Sequence, residues 1–440
     1  MRRTVVIGAG LTGLSTAYHL AQRGATATVV ERAAEVGGAC RTLGKEGFHF
    51  DLTGHLLHLG RAESETLLEA LGVRGALRPH RRRAAVALAG AVTPYPIQIN
   101  TFRLPREVRR DCLTGFVEAR LREAEAAGRS RERPEAEETG SFADWVMARF
   151  GSGFARHFFL PYNRKLFRVD PGELTTDWVG RYVPRPQTTE VIDGALGLYR
   201  GTAGYNATFL YPRRGGIRLL ADALGARVPP VRVSTAVREL RLAAREIVLD
   251  GGETLPWDAL VATSALTALV AITADATAAM RAAASRLRAV AVINLNLGIR
   301  GRAPRKEHWL YVPEERFPFY RVGFPSNHGR VAPPDCHTLS VEVSLPAAAA
   351  VPDDLTERCL AGLEELGLLR DRGDIVATAT ARLDPAYVIF DRARRTAVAE
   401  LREAYRGFDV FLAGRWAEWK YSTMEDALWD GATVARRIST

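Results

Sequence analysis

Three glycines set the first constraint on what this chain can fold into. The stretch TVVIGAGLTGLSTAYHLAQRGATATVVE, residues 4–31, runs from a short apolar strand straight into Gly8, Gly10 and Gly13. It continues through an amphipathic helix into a second strand that ends at Glu31. That order is a βαβ unit, and its glycines have separate tasks. One permits a tight turn, one lets backbone N–H groups approach a pyrophosphate, and one lets helix pack close on strand. The helix N-terminus brings partial positive charge to the phosphates. Glu31, 18 residues beyond Gly13, is placed to accept hydrogen bonds from a ribose. A dinucleotide is the ligand this unit predicts.

The next residues, RAAEVGGACRT, supply Arg32, Gly37, Gly38 and Arg41, and GFHFDLTGHLLHLG follows. This continuation resembles the flavoprotein group that includes the amine oxidases, protoporphyrinogen oxidase and UDP-galactopyranose mutase. There a double glycine and an arginine wrap the FAD diphosphate, so the resemblance implies FAD as cofactor.

With 440 residues, 47% hydrophobic and 25% charged, the chain predicts two intertwined domains of ordinary globular composition. No run of 18 apolar residues occurs and the first strand begins at once, so a cytoplasmic location without membrane contact is expected. Cys40, Cys112, Cys336 and Cys359 lack metal-type spacing, and no metal site is expected. The formal charge of +10 rests almost wholly on arginine. The run Arg81, Arg82, Arg83 reads as solvated surface, and nothing resembles a nucleic-acid module.

Further on, YPRRGGIRLLADAL and ALVATSAL return the chain to the nucleotide-binding part, whereas AVAVINLNLGIRG, HTLSVEVSL and IVATATARL alternate as antiparallel strands. The expected fold is α/β. A discontinuous Rossmann-like FAD-binding domain takes residues 1–95, 206–275 and 396–440. The substrate part combines a helical region, 96–205, with an antiparallel-sheet region, 276–395.

Four dispersed segments narrow the resemblance to the UDP-galactopyranose mutase family, most nearly its eukaryotic-type branch. PYPIQIN carries Gln98; PYNRKLFRVDPGELTTDWVGRYVPR carries Asn163, Phe167 and Arg181. WLYVPEERFPFYRVGFPSN carries Trp309, Tyr311 and Arg321, and GRWAEWKY carries Gly414, Arg415 and Tyr421. By this resemblance Arg181 and Arg321 bind a substrate diphosphate. Gln98, Asn163, Phe167, Trp309, Tyr311, Tyr387 and Tyr421 contact substrate, and Gly414 and Arg415 lie on the flavin side. His55, in TGHLLHLG, matches a histidine beside the flavin, and His58 reads as structural. Thr53 stands where the family usually has glycine, and His328 where tyrosine is common.

The chemistry of these residue types agrees with that carry-over. Two guanidiniums offer planar forks to phosphate oxygens, and tyrosine hydroxyls add neutral hydrogen bonds. The resemblance implies ring isomerisation of a nucleotide-diphosphate sugar, with N5 of reduced FAD as nucleophile and an external reductant to prepare it. His55, Arg181 and Arg321 then serve as the protein's catalytic residues. The alternative is an FAD-dependent oxidoreductase, an oxidase or desaturase, acting on a small molecule.

Overall fold

In the computed structural model, residues 2–129, 140–180, 182–201 and 207–439 are described. Arg181 lies outside them.

Thr4–Ile7 sits inside a four-stranded parallel sheet, between Ala27–Val30 and Ala259–Ala262, with Val410–Leu412 beyond the latter. The two inner strands, Thr4–Ile7 and Ala259–Ala262, are buried along their whole length, as parallel strands covered on both sides must be. Val6 enters one core, while Val5 and Ile7 enter another. Helix Leu11–Ala21 crosses the C-terminal helix Met424–Ser439 at Gly431, where a Cβ would stand 2.6 Å from the Thr12 carbonyl oxygen. Three stretches far apart in sequence thus build one nucleotide-binding layer.

The second sheet has seven strands, in the order Ile375–Val388, Ala289–Arg300, Cys336–Pro346, Arg321–Gly323, Trp309–Tyr311, Ala84–Leu88 and Ala91–Pro94. All its pairings are antiparallel except that of Trp309–Tyr311 with Ala84–Leu88. The hairpin 84–94 therefore extends this sheet, although it falls in the segment expected to belong to the FAD-binding part. The physical reason is burial: Val86 and Leu88 enter an aromatic-rich core, Ala85 and Ala87 the opposite one. Such a strand needs a layer on each side, and the seven-stranded sheet supplies that position.

The aromatic-rich core belongs to the helical region. Phe142, Trp145, Phe150, Phe154, Phe159 and Phe167 fill it between helices Arg106–Arg129, Phe142–Phe154 and Leu160–Phe167. Among the described residues, no helix is long and apolar enough to cross a membrane.

Candidate active site

The glycine turn has the geometry its sequence predicts. Gly8 adopts φ +99°, and a Cβ on Gly13 would fall 1.9 Å from the Gly8 carbonyl oxygen, so only glycine allows helix and strand to approach this closely. Gly10 caps helix Leu11–Ala21 with no side-chain acceptor, and no acidic residue occupies its first turn. The first amides of this helix remain available to an anionic ligand. The double glycine folds back onto the turn. Gly37 N–H donates to the Ala9 carbonyl at 2.8 Å, Gly37 bridges to Gly10, and a Cβ on Gly38 would sit 3.2 Å from Gly10 Cα. Arg41 Nε donates to the Gly38 carbonyl at 2.9 Å. Glu31, 9% exposed, accepts from Ala9 N at 2.8 Å and Ala33 N at 2.9 Å, while Arg32 is exposed. This cradle fits a dinucleotide diphosphate: it offers free helix amides and no side chain that would obstruct them.

Beside the cradle opens a cavity of about 390 Å³ at the junction of both sheets and the C-terminal segment. One wall is the stretch 53–61, from which Thr53, Gly54, His55, Leu56 and His58 line the cavity. Thr53 holds φ +68°, its N–H donating to Asn294 Oδ1 at 2.9 Å, and Gly54 N–H donates to Glu342 Oε1 at 3.2 Å. At its far end Glu425 accepts from Gly60 N and Arg61 N, both at 2.9 Å. His55 is pushed down to about 4, chiefly by burial, against the pull of Glu342 and with help from Arg415 and Arg321. It is a neutral imidazole at neutral pH.

Arg415 is locked in place. Nη1 donates to the Ser422 carbonyl at 2.8 Å and Nη2 to the Ala386 carbonyl at 3.1 Å, and the guanidinium lies about 5 Å from the rings of both Tyr387 and Tyr421. Arg321 has a resident anion. Its Nη2 donates to Glu342 Oε1 at 2.7 Å, and Tyr320 Oη donates to the other carboxylate oxygen at 2.5 Å. The Glu342 side chain is 2% exposed and that of Arg321 19%.

Asp51 joins the cradle to the cavity. It accepts from Thr42 Oγ1 at 2.5 Å, Tyr211 Oη at 2.5 Å and Ile217 N at 3.0 Å. Burial raises its carboxyl above the usual range, and these three donors oppose the rise. At the same end His80, His308 and His328 stand edge to face, their ring centroids 5.4 to 6.2 Å apart. Arg83 N–H donates to His308 Nδ1 at 3.1 Å, which leaves the proton of that neutral ring on Nε2. His308 is pushed down to about 4 by burial, with Arg83 and His80 adding and Glu307 opposing.

Of the residues expected at the site, His55, Trp309, Tyr311, Arg321, Tyr387 and Tyr421 line the cavity, together with Gly10, Gly37, Gly414 and Arg415. Gln98, Asn163 and Phe167 stand behind the wall rather than in it. Gln98 Nε2 donates to the Pro184 carbonyl at 3.1 Å, and Asn163 Nδ2 to the Phe159 carbonyl at 2.8 Å. Phe167, 1% exposed, meets Tyr387 edge-on at 6.4 Å. One reading needs correction. Arg82, expected on the solvated surface, lines the cavity with its guanidinium 5.4 Å from the Tyr95 ring centroid. His58 lines it too, and its Nδ1 stands 2.9 Å from the Thr208 carbonyl. Sequence reasoning missed Glu342, His308 and Trp416. A carboxylate in the otherwise apolar strand HTLSVEVSL was the available signal for the first.

Among the described residues, Trp309 Nε1, Trp416 Nε1 and His308 Nε2 are buried without a protein partner. No group of His, Cys, Asp and Glu among the described residues could hold a metal ion.

Comparison with known proteins agrees with this architecture. The family model described as flavin containing amine oxidoreductase matches residues 11–439. A crystal structure of reduced UDP-galactopyranose mutase superposes with a TM-score of 0.91 at 25% identity, covering 100% of this chain and 94% of that one. Cyclohexylamine oxidase from Brevibacterium oxydans shares the fold, with a TM-score of 0.68 at 18% identity, covering 100% of this chain and 98% of the oxidase. By sequence, protoporphyrinogen oxidase 2 of Arabidopsis thaliana is 37% identical over 73 residues, which is 17% of this chain and 14% of that protein. The matched stretch likewise spans 14% or less of the other curated relatives.

Proposed function

The chain belongs to the flavin containing amine oxidoreductase family, which implies a flavin cofactor, FAD. From that premise we propose that it is a nucleotide-sugar mutase, interconverting pyranose and furanose rings of a sugar linked to a nucleoside diphosphate. When bound and reduced by an external reductant, the flavin supplies a nucleophilic nitrogen, N5, to the anomeric carbon.

The protein's part is binding and charge placement. The helix amides and the folded-back double glycine hold the cofactor diphosphate. Arg321 and, by the family resemblance, Arg181 take the substrate diphosphate, which is also the leaving group. Tyr311, Tyr387 and Tyr421 add hydroxyl donors. Neutral His55, on a loop anchored at both ends, orients without adding charge. Arg415 keeps Tyr387 and Tyr421 in register by packing against both rings from one side.

The observation that carries this reading is the set of arginines and tyrosines that line the cavity, Arg321, Arg415, Tyr311, Tyr387 and Tyr421. Guanidinium and hydroxyl donors suit a ligand dense in acceptors, as sugar hydroxyls and phosphates are, and suit an alkylamine poorly. The test is anaerobic: dithionite-reduced protein is mixed with a panel of nucleotide sugars and the products are resolved by chromatography. Ring isomerisation without consumption of reductant is the expected result. A second reading, an FAD-dependent oxidase or desaturase, is favoured by the sequence relatives. It predicts stoichiometric substrate oxidation in the same assay.

A further inference from the structure

Arg321 does not wait for its anion. In the folded protein it already holds one, Glu342, and that carboxylate is committed on several sides. Oε1 accepts from Arg321 Nη2 at 2.7 Å and from Gly54 N at 3.2 Å, and Oε2 accepts from Tyr320 Oη at 2.5 Å. Donors from two segments distant in sequence, Gly54 and Tyr320 with Arg321, therefore converge on one side chain, which is 2% exposed and lines the cavity. Arg321 uses one of its five N–H donors in this pair among the described residues, its side chain is 19% exposed, and it lines the cavity.

We infer that Glu342 is a built-in competitor for Arg321. It acts as the counter-ion of the ligand-free site and sets the affinity for the anionic ligand by having to share the guanidinium with it. This inference rests on the reading that the cavity receives a diphosphate. A phosphate reaching the open side of Arg321 brings like charge toward Glu342 across one guanidinium, so part of its binding is spent on repulsion. The same carboxylate ties the arginine to Gly54, where a Cβ would lie 3.4 Å from Arg321 Nη2. When an anion draws the guanidinium away, Oε1 keeps the Gly54 N–H as its main donor, and the loop that carries His55 tightens as ligand arrives. A site lacking Glu342 would bind diphosphate more strongly and release it more slowly, a disadvantage where the diphosphate must depart and return within each turnover.

A purely architectural role for Glu342 predicts the opposite sign. Breaking a buried pair to support the fold lowers stability and leaves ligand affinity equal or worse. A competitor's removal lowers the stability of the empty protein, because Arg321 loses its partner, yet raises affinity, because the ligand becomes that partner.

The experiment measures binding of UDP and of inorganic pyrophosphate to FAD-loaded protein by calorimetry, for the wild type and Glu342→Gln. Melting temperatures are recorded with and without ligand. The expected result is a lower ligand-free melting temperature together with roughly tenfold tighter binding, the scale of one hydrogen bond to a charged group. Adding Arg321→Ala to Glu342→Gln should abolish the gain. Should Glu342→Gln fail to fold, Glu342→Asp, which draws the carboxylate back by one methylene, is expected to tighten binding in the same direction. Equal or weaker binding in a variant with full flavin content overturns the competitor role and leaves the proposed function standing. Failure of the wild type and every variant to bind either ligand overturns both.

Discussion

Asn294 Oδ1 accepts the backbone N–H of Thr53 at 2.9 Å and thereby holds a β-branched residue at φ +68°. Asn294 is itself fixed, donating to Ser340 Oγ at 2.9 Å and accepting from Asn296 Nδ2 at 2.7 Å. A left-handed conformation costs a non-glycine residue about 1–2 kcal/mol, so the loop that presents His55 is kept in place by the sheet behind it.

Thr53→Gly should therefore be well tolerated. Relief of that strain offsets the roughly 0.5–1 kcal/mol of extra backbone entropy that glycine loses on folding. Asn294→Ala should cost about 1–3 kcal/mol by stranding a buried N–H. Urea denaturation of the two variants checks the ordering, and a Thr53→Gly protein less stable than Asn294→Ala would contradict the strain.

Gly10 and Gly13 separate cofactor approach from folding. A Cβ on Gly13 collides with the Gly8 backbone, whereas on Gly10, at φ −74°, it meets no protein atom closer than Gly38 Cα at 4.0 Å. Gly13→Ala should fail to fold. Gly10→Ala should fold with an unaltered circular dichroism spectrum yet lose FAD, as read from visible absorbance after gel filtration. Full retention of FAD by Gly10→Ala would show that the cofactor does not approach the turn closely.

Acid should loosen the protein through its buried imidazoles. His308, 2% exposed, is held near 4 in the fold against 6.5 when unfolded. Between those values the unfolded chain binds the extra proton. Its contribution is therefore complete above pH 6.5 and disappears as pH falls to 4, by up to about 3 kcal/mol. The urea midpoint should decline across that window, and His308→Asn should flatten the decline. An equal slope in the variant would remove His308 from the account.

Arg321→Ala should be strongly destabilising, by about 3–5 kcal/mol, because it leaves Glu342 buried and unpaired. Adding Glu342→Gln should recover much of that loss. Thermal melts of the two singles and the double give the coupling directly, and additive effects would mean that the pair contributes nothing.

The legible parts of this fold were those whose signal is local. Gly8, Gly10, Gly13 and Glu31 announced themselves because turn, helix start and strand end all lie within one short stretch. Arg415 and Tyr421 share a single motif and share the cavity. Arg82 was obscured by its neighbours: Arg81 and Arg83 are exposed, whereas Arg82, in the connection between strands Leu77–Arg81 and Ala84–Leu88, is half-buried and lines the cavity. Glu342 lies in a strand buried on both faces, where periodicity distinguishes neither side. Gln98, Asn163 and Phe167 matched motif positions, yet a motif does not say whether a side chain meets the cavity or braces the wall from behind. That depends on packing between helices and sheet, which no single segment encodes.

The parallel sheet has one further consequence, for synthesis on the ribosome. Its strand Ala259–Ala262 is flanked by Thr4–Ile7, made before it, and by Val410–Leu412, made well after it. Until that late segment emerges, the nascent chain carries an open apolar edge next to the dinucleotide cradle, ready to pair with another copy. Arg415 and helix Met424–Ser439, which close the cradle from the other side, emerge later still. Cofactor capture is thus expected to follow the emergence of these late segments. Early supply of FAD cannot rescue a stalled or truncated chain, and premature termination should yield aggregate rather than a partly loaded enzyme.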